Sequence, residues 1–352
     1  MKSLLEAYRM LDKKIWDYYD PQHEYARIDN PFNHSVDNLD NHKCFIKKYF
    51  GIAGKREVLQ QFEVNSEFFS GERAIHTNSV FFFGLILQEK TILKTKIFEG
   101  ELSKMDYEIF PFLWFLSILF HDYGMMIEEN SHLIKDKIVT LEDLMKEYSI
   151  DNNLLDKIVE NTSDQLTRLI SKYFIYRRFS SKKIDHGIFA GVYLFDRLVK
   201  IRRIKSIQNN SEFSWHESLE EYYALSSVAI ACHNIWTTRK DSPFESGYIE
   251  YELRDLVVPN FKEISLDNFP LLFLFGLVDT IDPVKIYTRV GFSPEIILTS
   301  LYITITKRSM TIINGKDSTL DFDLIKNATK NLKGWLKVKI DISHANKLKI
   351  NF

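Results

Sequence analysis

The sequence predicts a mainly helical protein, a bundle of buried helices followed by a small α/β subdomain at the carboxy end. Three observations carry that expectation. Glycine (13) and proline (8) are scarce in 352 residues while aromatic residues reach 14%, so the chain has few turn-formers and much bulk to bury. Apolar residues recur mostly at helical spacing from about Glu72 to Pro283. After Pro294 the pattern changes to alternation, in SLYITITKRSMTII and again in LKVKIDISHANKLKINF.

Taken in order, residues 1–70 mix short helical patterns with polar connectors such as DPQHEY and DNPFNHSVDNLDNH, which predicts an irregular helical amino-terminal segment. The central segment, 71–290, carries helical patterns over 72–90, 110–127, 141–160, 184–205, 216–236 and 270–282. Pro111 suits a first helical turn, and Pro283 stops the last of these helices just after VDTID. Residues 291–352 read as an alternating stretch, an INGK turn, a helix over STLDFDLIKNATKNL and a second alternating stretch.

Charge and cysteine content narrow the function classes. Lys and Arg total 46 against 48 Asp and Glu, a net charge of −2, which excludes a strongly basic nucleic-acid coat or an acidic tail as the main device. Cys44 and Cys232 make no disulfide framework, and a reducing cytoplasm is the expected compartment. The opening MKSLLEAYRMLDKKIW lacks the apolar core of a signal peptide. FPFLWFLSILF (110–120) and FPLLFLFGLV (269–278) fall short of the ~20 residues of a membrane helix, so both read as buried helices and no membrane partner is expected.

The sharpest local feature is HDYG at 121–124, directly after an eleven-residue apolar run. An imidazole and a carboxylate at the end of a buried helix are costly unless something binds them, and a metal explains both. Four more ligand-type residues share the character: His76 in GERAIHTNSVFFFGLIL, His186 in DHGIFAGVYLF, His233 in YYALSSVAIACHNIW and Asp279 in FPLLFLFGLVDTIDP. Each alone reads as a hydrogen-bonded core residue. Together they would need five unrelated reasons to turn inward. Nitrogen and carboxylate donors without thiolates suit Mn, Fe, Zn, Ni or Mg, and six of them suit two ions.

This ordered series, H…HD…H…H…D with Arg73 just ahead of His76, resembles the HD-domain phosphohydrolase superfamily over roughly residues 70–285. The resemblance implies an HD-domain helical bundle with two divalent metals. One is held by His76, His121, Asp122 and Asp279, and Asp122 bridges to a second held by His186 and His233. It also implies a metal-dependent phosphohydrolase or phosphodiesterase acting on a nucleotide or related phosphate ester. An HD nuclease on single-stranded nucleic acid and a non-catalytic HD sensor or scaffold are the alternatives. Members with the HDxGK form carry a lysine where this chain has Met125, so a phosphate-contacting cation must come from elsewhere or the activity is altered.

Candidate phosphate ligands are Arg73, one turn before His76, and Arg177, Arg178, Lys182 and Lys183 in YRRFSSKKIDHG, a cluster that equally suits a solvated basic face. Glu128 and His132 can serve as general acid or merely line a loop. Asp185 and Asp282 can orient a ligand histidine or contact substrate. Cys232 reads as a small buried side chain, and His23, His34, His42, His216 and His344 as solvated. The run RLVKIRRIK (197–205) most simply forms an outer helix face. The expected partner is a small phosphorylated molecule, a nucleotide first, with nucleic acid and a second copy of the chain left open.

Overall fold

The computed structural model describes residues 1–16, 28–52, 71–97, 110–133, 137–161, 164–208 and 215–352. Within these, helices dominate and the strands are short, in agreement with the mainly helical expectation. The chain forms two compact units, one of residues 1–115 with 264–352 and one of residues 116–263. The helices near the start of the chain and the strands near its end thus share a unit, unlike the consecutive segments 1–70, 71–290 and 291–352 read from the sequence. Residues 17–27 and 53–70 of that first segment, and His23 with them, lie outside the described residues.

In the first unit the helices are α1 (Leu4–Arg9), α2 (Lys13–Trp16), α3 (Leu39–Ile52), α4 (Gly71–Lys90) and α5 (Leu93–Lys96). Helix α4 is buried on every side from Ala74 to Gln88, as a run reading VFFFGLIL requires. Helix α6 (Phe110–Phe120) supplies the next apolar run, its residues from Leu116 belonging to the second unit, and the remaining helices of the first unit come near the end of the chain.

The second unit continues with α7 (Met125–Glu129), α8 (Leu141–Glu147), α9 (Leu154–Asn161), α10 (Asp164–Ser181), α11 (His186–Gln208), α12 (Leu219–Cys232) and α13 (Glu245–Glu250). The expected helix over 141–160 is two. Ser149 takes φ 51°, and the fully buried Asp196 of α11 accepts from the backbone N–H groups of Asp151 and Asn152 at 2.9 and 3.0 Å. A carboxylate receiving several N–H bonds stabilises the break in place of helical continuation. The most apolar span, Phe110–Glu129, is 72% buried inside the protein, and the turn at 121–124 interrupts it.

The first unit closes with α14 (Pro270–Ile281), α15 (Pro283–Thr288), α16 (Pro294–Ser300) and α17 (Phe322–Ala328). Proline opens α14, α15 and α16, where its missing N–H has no helical acceptor to lose. Strands β1 (Lys2–Ser3), β4 (Leu301–Thr306), β5 (Ser309–Asn314), β6 (Lys339–His344) and β7 (Lys347–Asn351) form an antiparallel sheet in the order β1-β4-β5-β7-β6. The pair β2 (Thr238–Arg239) and β3 (Val257–Val258) belongs to the second unit. The first alternating stretch is a hairpin, Thr306 facing Ser309 across Lys307 and Arg308. INGK makes the expected turn between β5 and α17.

Helix α3 corrects one histidine. His42 is fully buried, donating from Nε2 to the Val36 carbonyl at 3.0 Å and accepting from the Asn78 amide at 2.9 Å on Nδ1. Burial outweighs the Val36 hydrogen bond and the Asp37 charge and holds its pKa down at about 4. The unfolded chain takes up this proton near pH 6.5, so His42 leaves stability intact above that pH and weakens it as pH falls to 4, by about 3 kcal/mol in all. Urea midpoints between pH 7 and 4 should show the loss. His42→Gln should flatten that part of the profile, and an unchanged slope would assign the loss to other groups.

Candidate metal centre

In the second unit, His121 and Asp122 occupy the turn that ends α6, His186 opens α11 and His233 closes α12. One ligand atom each from Asp122, His186 and His233 lie within 4.8 Å of one another. His186 Nε2 is 3.2 Å from His233 Nε2 and 3.7 Å from Asp122 Oδ1. His121 Nε2 is 3.3 Å from Asp122 Oδ2, and its ring stands edge-on to His233 with centroids 5.3 Å apart.

Every one of these imidazoles has its other nitrogen pinned. His121 Nδ1 donates to the Ile118 carbonyl at 2.7 Å and His233 Nδ1 to the Ile230 carbonyl at 2.6 Å. His186 Nδ1 donates to Glu128, which also accepts from the His186 backbone N–H at 3.2 Å. These bonds assign the proton to Nδ1 and leave Nε2 facing the cluster, the arrangement that a metal-ligating histidine needs.

Charged neighbours act on Glu128 and His186 alike. Burial disfavours the Glu128 carboxylate, but His186 and Arg177 pull its pKa down to about 2. Burial likewise opposes the His186 imidazolium, while Glu128, Asp185 and Asp122 raise its pKa. His186 Nε2 and His233 Nε2 face each other at 3.2 Å. A cation in that place satisfies both nitrogens and Asp122 together. Two imidazoles and one carboxylate are a donor set that fits a divalent transition metal.

The first unit carries its own constellation. His76 of α4 lies between Asp282, whose Oδ2 receives Nδ1–H at 2.9 Å, and Asp279 of α14, whose Oδ1 is 3.4 Å from Nε2. Burial disfavours the imidazolium, yet the hydrogen bonds to Asp279 and Asp282 raise the pKa of His76 to about 9. Asp282 is fully buried, accepts from Ser79 Oγ at 2.6 Å and caps α15 through the Lys285 N–H at 2.9 Å. Its carboxylate orients His76 and has no solvent-facing atom for a substrate contact. Arg73 is half-buried one turn earlier on α4.

Several candidates fall elsewhere than expected. Glu128 holds His186 and forms an ion pair with Arg177, which makes it a positioning residue in place of a general acid. His132 is exposed and donates to the Glu129 carbonyl at 3.2 Å, outside the cluster. Arg177 is committed to Glu128 and lies 3.7 Å from Asp185, so it is an internal counter-ion and not a phosphate ligand. Arg178 donates to the carbonyls of Ile138 and Lys182 at 2.7 and 3.1 Å. Lys182 is exposed, and Lys183, half exposed, lies 3.8 Å from Glu128. Burial and the Asp185 charge push the Cys232 thiol up to about 12, which keeps it protonated and inert.

One charged partner of Asp279 is absent from the candidates that the sequence offers. Lys285 donates to both oxygens of Asp279 at 2.9 Å. Its signal was available, since Asp279, Asp282 and Lys285 recur every three residues across DTIDPVK. Comparison with family models, curated proteins and solved structures finds no match for the chain.

Proposed function

We propose that the chain is a metal-dependent phosphohydrolase of the HD type, hydrolysing a nucleotide or a related phosphate ester. The observation that carries this reading is the convergence of Asp122, His186 and His233, with the outer nitrogen of each imidazole held by a carboxylate or a backbone carbonyl. A divalent cation bound there supplies Lewis acidity towards a phosphoryl oxygen and lowers the pKa of water. The family resemblance counts His76 and Asp279 of the first unit among the ligands of a companion metal.

The protein's own groups do the positioning. Glu128, kept anionic by Arg177, fixes the His186 ring, and the Ile230 carbonyl fixes His233. Asp282 does the same for His76. Imidazoles held in this way keep their ligand nitrogens aimed without reorganisation when the cation binds. Lys182 and Lys183, exposed beside the start of α11, offer positive charge to an incoming phosphate.

Metal analysis of the purified chain, followed by a phosphate-release screen over nucleotides, cyclic dinucleotides and single-stranded oligonucleotides, tests the reading. Bound transition metal with turnover of a mononucleotide or cyclic dinucleotide is the expected result. Cleavage of oligonucleotides alone would make the chain a nuclease, and bound metal without any turnover a sensor. Absence of metal with His121 and Asp122 intact would sink the proposal.

A further inference from the structure

Asp279 is a buried carboxylate, and the Lys285 ammonium engages both of its oxygens at 2.9 Å. Lys285 lies in the first turn of α15, and the same Asp282 that holds His76 Nδ1 accepts its backbone N–H. The root of the lysine is therefore fixed relative to His76, while four methylenes leave its head free to swing. Its side chain retains 27% exposure, so the head has a way out to solvent.

Two of the other basic candidates are committed to protein groups. Arg177 is held by Glu128 and Asp185, Arg178 spends donors on carbonyls, and Met125 stands where HDxGK sequences have lysine. Lys285, by contrast, rests on a group that a metal would claim. A divalent cation bound to Asp279 would compete with the Lys285 ammonium for the carboxylate oxygens and weaken its hold on them. A compact ammonium with three donors is well suited to a phosphoryl oxygen.

We propose that Lys285 is a phosphate-contacting residue of this protein: it neutralises Asp279 in the metal-free state and turns to the phosphoryl group of the substrate once metal occupies that carboxylate. This inference rests on the metal-dependent reading above. It assigns to α15 the positive charge that Met125 cannot supply.

Calorimetric titration of the metal-stripped full chain with Mn²⁺, and of the loaded chain with inorganic phosphate, compares wild type with Lys285→Met. Loss of the competing ammonium should tighten Mn²⁺ binding about tenfold, and loss of the contact should weaken phosphate binding about 10- to 100-fold. Unchanged Mn²⁺ affinity or unchanged phosphate affinity in the variant overturns the inference. Failure of the wild type itself to bind Mn²⁺ removes the metal reading along with it, so the two failures are distinct. Should Lys285→Met not fold, amine-directed acetylation of the wild type read by mass spectrometry decides the matter. Labelling of Lys285 should rise several-fold on adding Mn²⁺ and fall again with phosphate; labelling that ignores both additions overturns the proposal.

Discussion

Asp122→Ala is expected to weaken Mn²⁺ binding by at least about 100-fold, more than loss of an outer-shell partner does, and to lower phosphate-ester turnover by at least about 1,000-fold. Helical content should stay that of the wild type. Asp122 sits in a turn between α6 and α7 and is partly exposed, so its removal takes no apolar surface out of the core. What it does remove is the carboxylate between His121 Nε2 and His186 Nε2, 3.3 and 3.7 Å away. The two pinned imidazoles of His186 and His233 would remain facing each other at 3.2 Å without it. Circular dichroism, metal analysis and a phosphate assay on one preparation give the answer, and turnover that survives would show that Asp122 is no ligand.

Gly191→Val is expected to destabilise the second unit by about 3 kcal/mol, the upper part of the range for overpacking. A Cβ at Gly191 would lie 2.5 Å from the Ser227 carbonyl oxygen and 2.9 Å from Ala231 N, and one at Gly187 would lie 2.8 Å from the His233 ring. The obstacle at Gly191 is backbone, which has no rotamer to change. Helix α12 must move off α11, and His233 moves from His186 with it. Gly276→Ala is the control, because its Cβ would make only ordinary 3.5 Å contacts with Leu336 and Trp335, and alanine there should be neutral or gain a few tenths of a kcal/mol. A urea midpoint lowered for Gly191→Val and kept for Gly276→Ala is the predicted pair. Equal midpoints would mean that the two helices can separate without cost.

The large helices were legible because bulk and spacing agree: VFFFGLIL in α4 and FPLLFLFGLV in α14 admit little besides burial. The candidate ligand residues were legible for the same reason, since His76, His121 and Asp279 lie in or at the end of such runs. What the sequence concealed depends on neighbours distant along the chain. Glu128 reads as acid or loop until His186, fifty-eight residues on, is placed against it. Helix α10 went unmarked because its basic end looks like an entry into α11, when Lys182 at φ 55° turns the chain between them. His42 was misread from its polar flanks, although Phe45, Ile46 and Tyr49 lie three, four and seven positions ahead on one helical face and carry it into the core.

Asp282 sits at the head of a relay. Tyr8 of α1 meets Ser79 Oγ at 3.2 Å, Ser79 donates to Asp282, and Asp282 holds His76. Helix α1 is six residues long, anchored by a two-residue strand and by Asn30 on the Tyr8 carbonyl. Leu4, Leu5 and Tyr8 are buried, so α1 opens only when the packing around it gives way. Each such opening takes Tyr8 from Ser79 and loosens the carboxylate behind His76, so hydrogen-exchange protection in α1 becomes a measure of how much of the time that histidine is held in place.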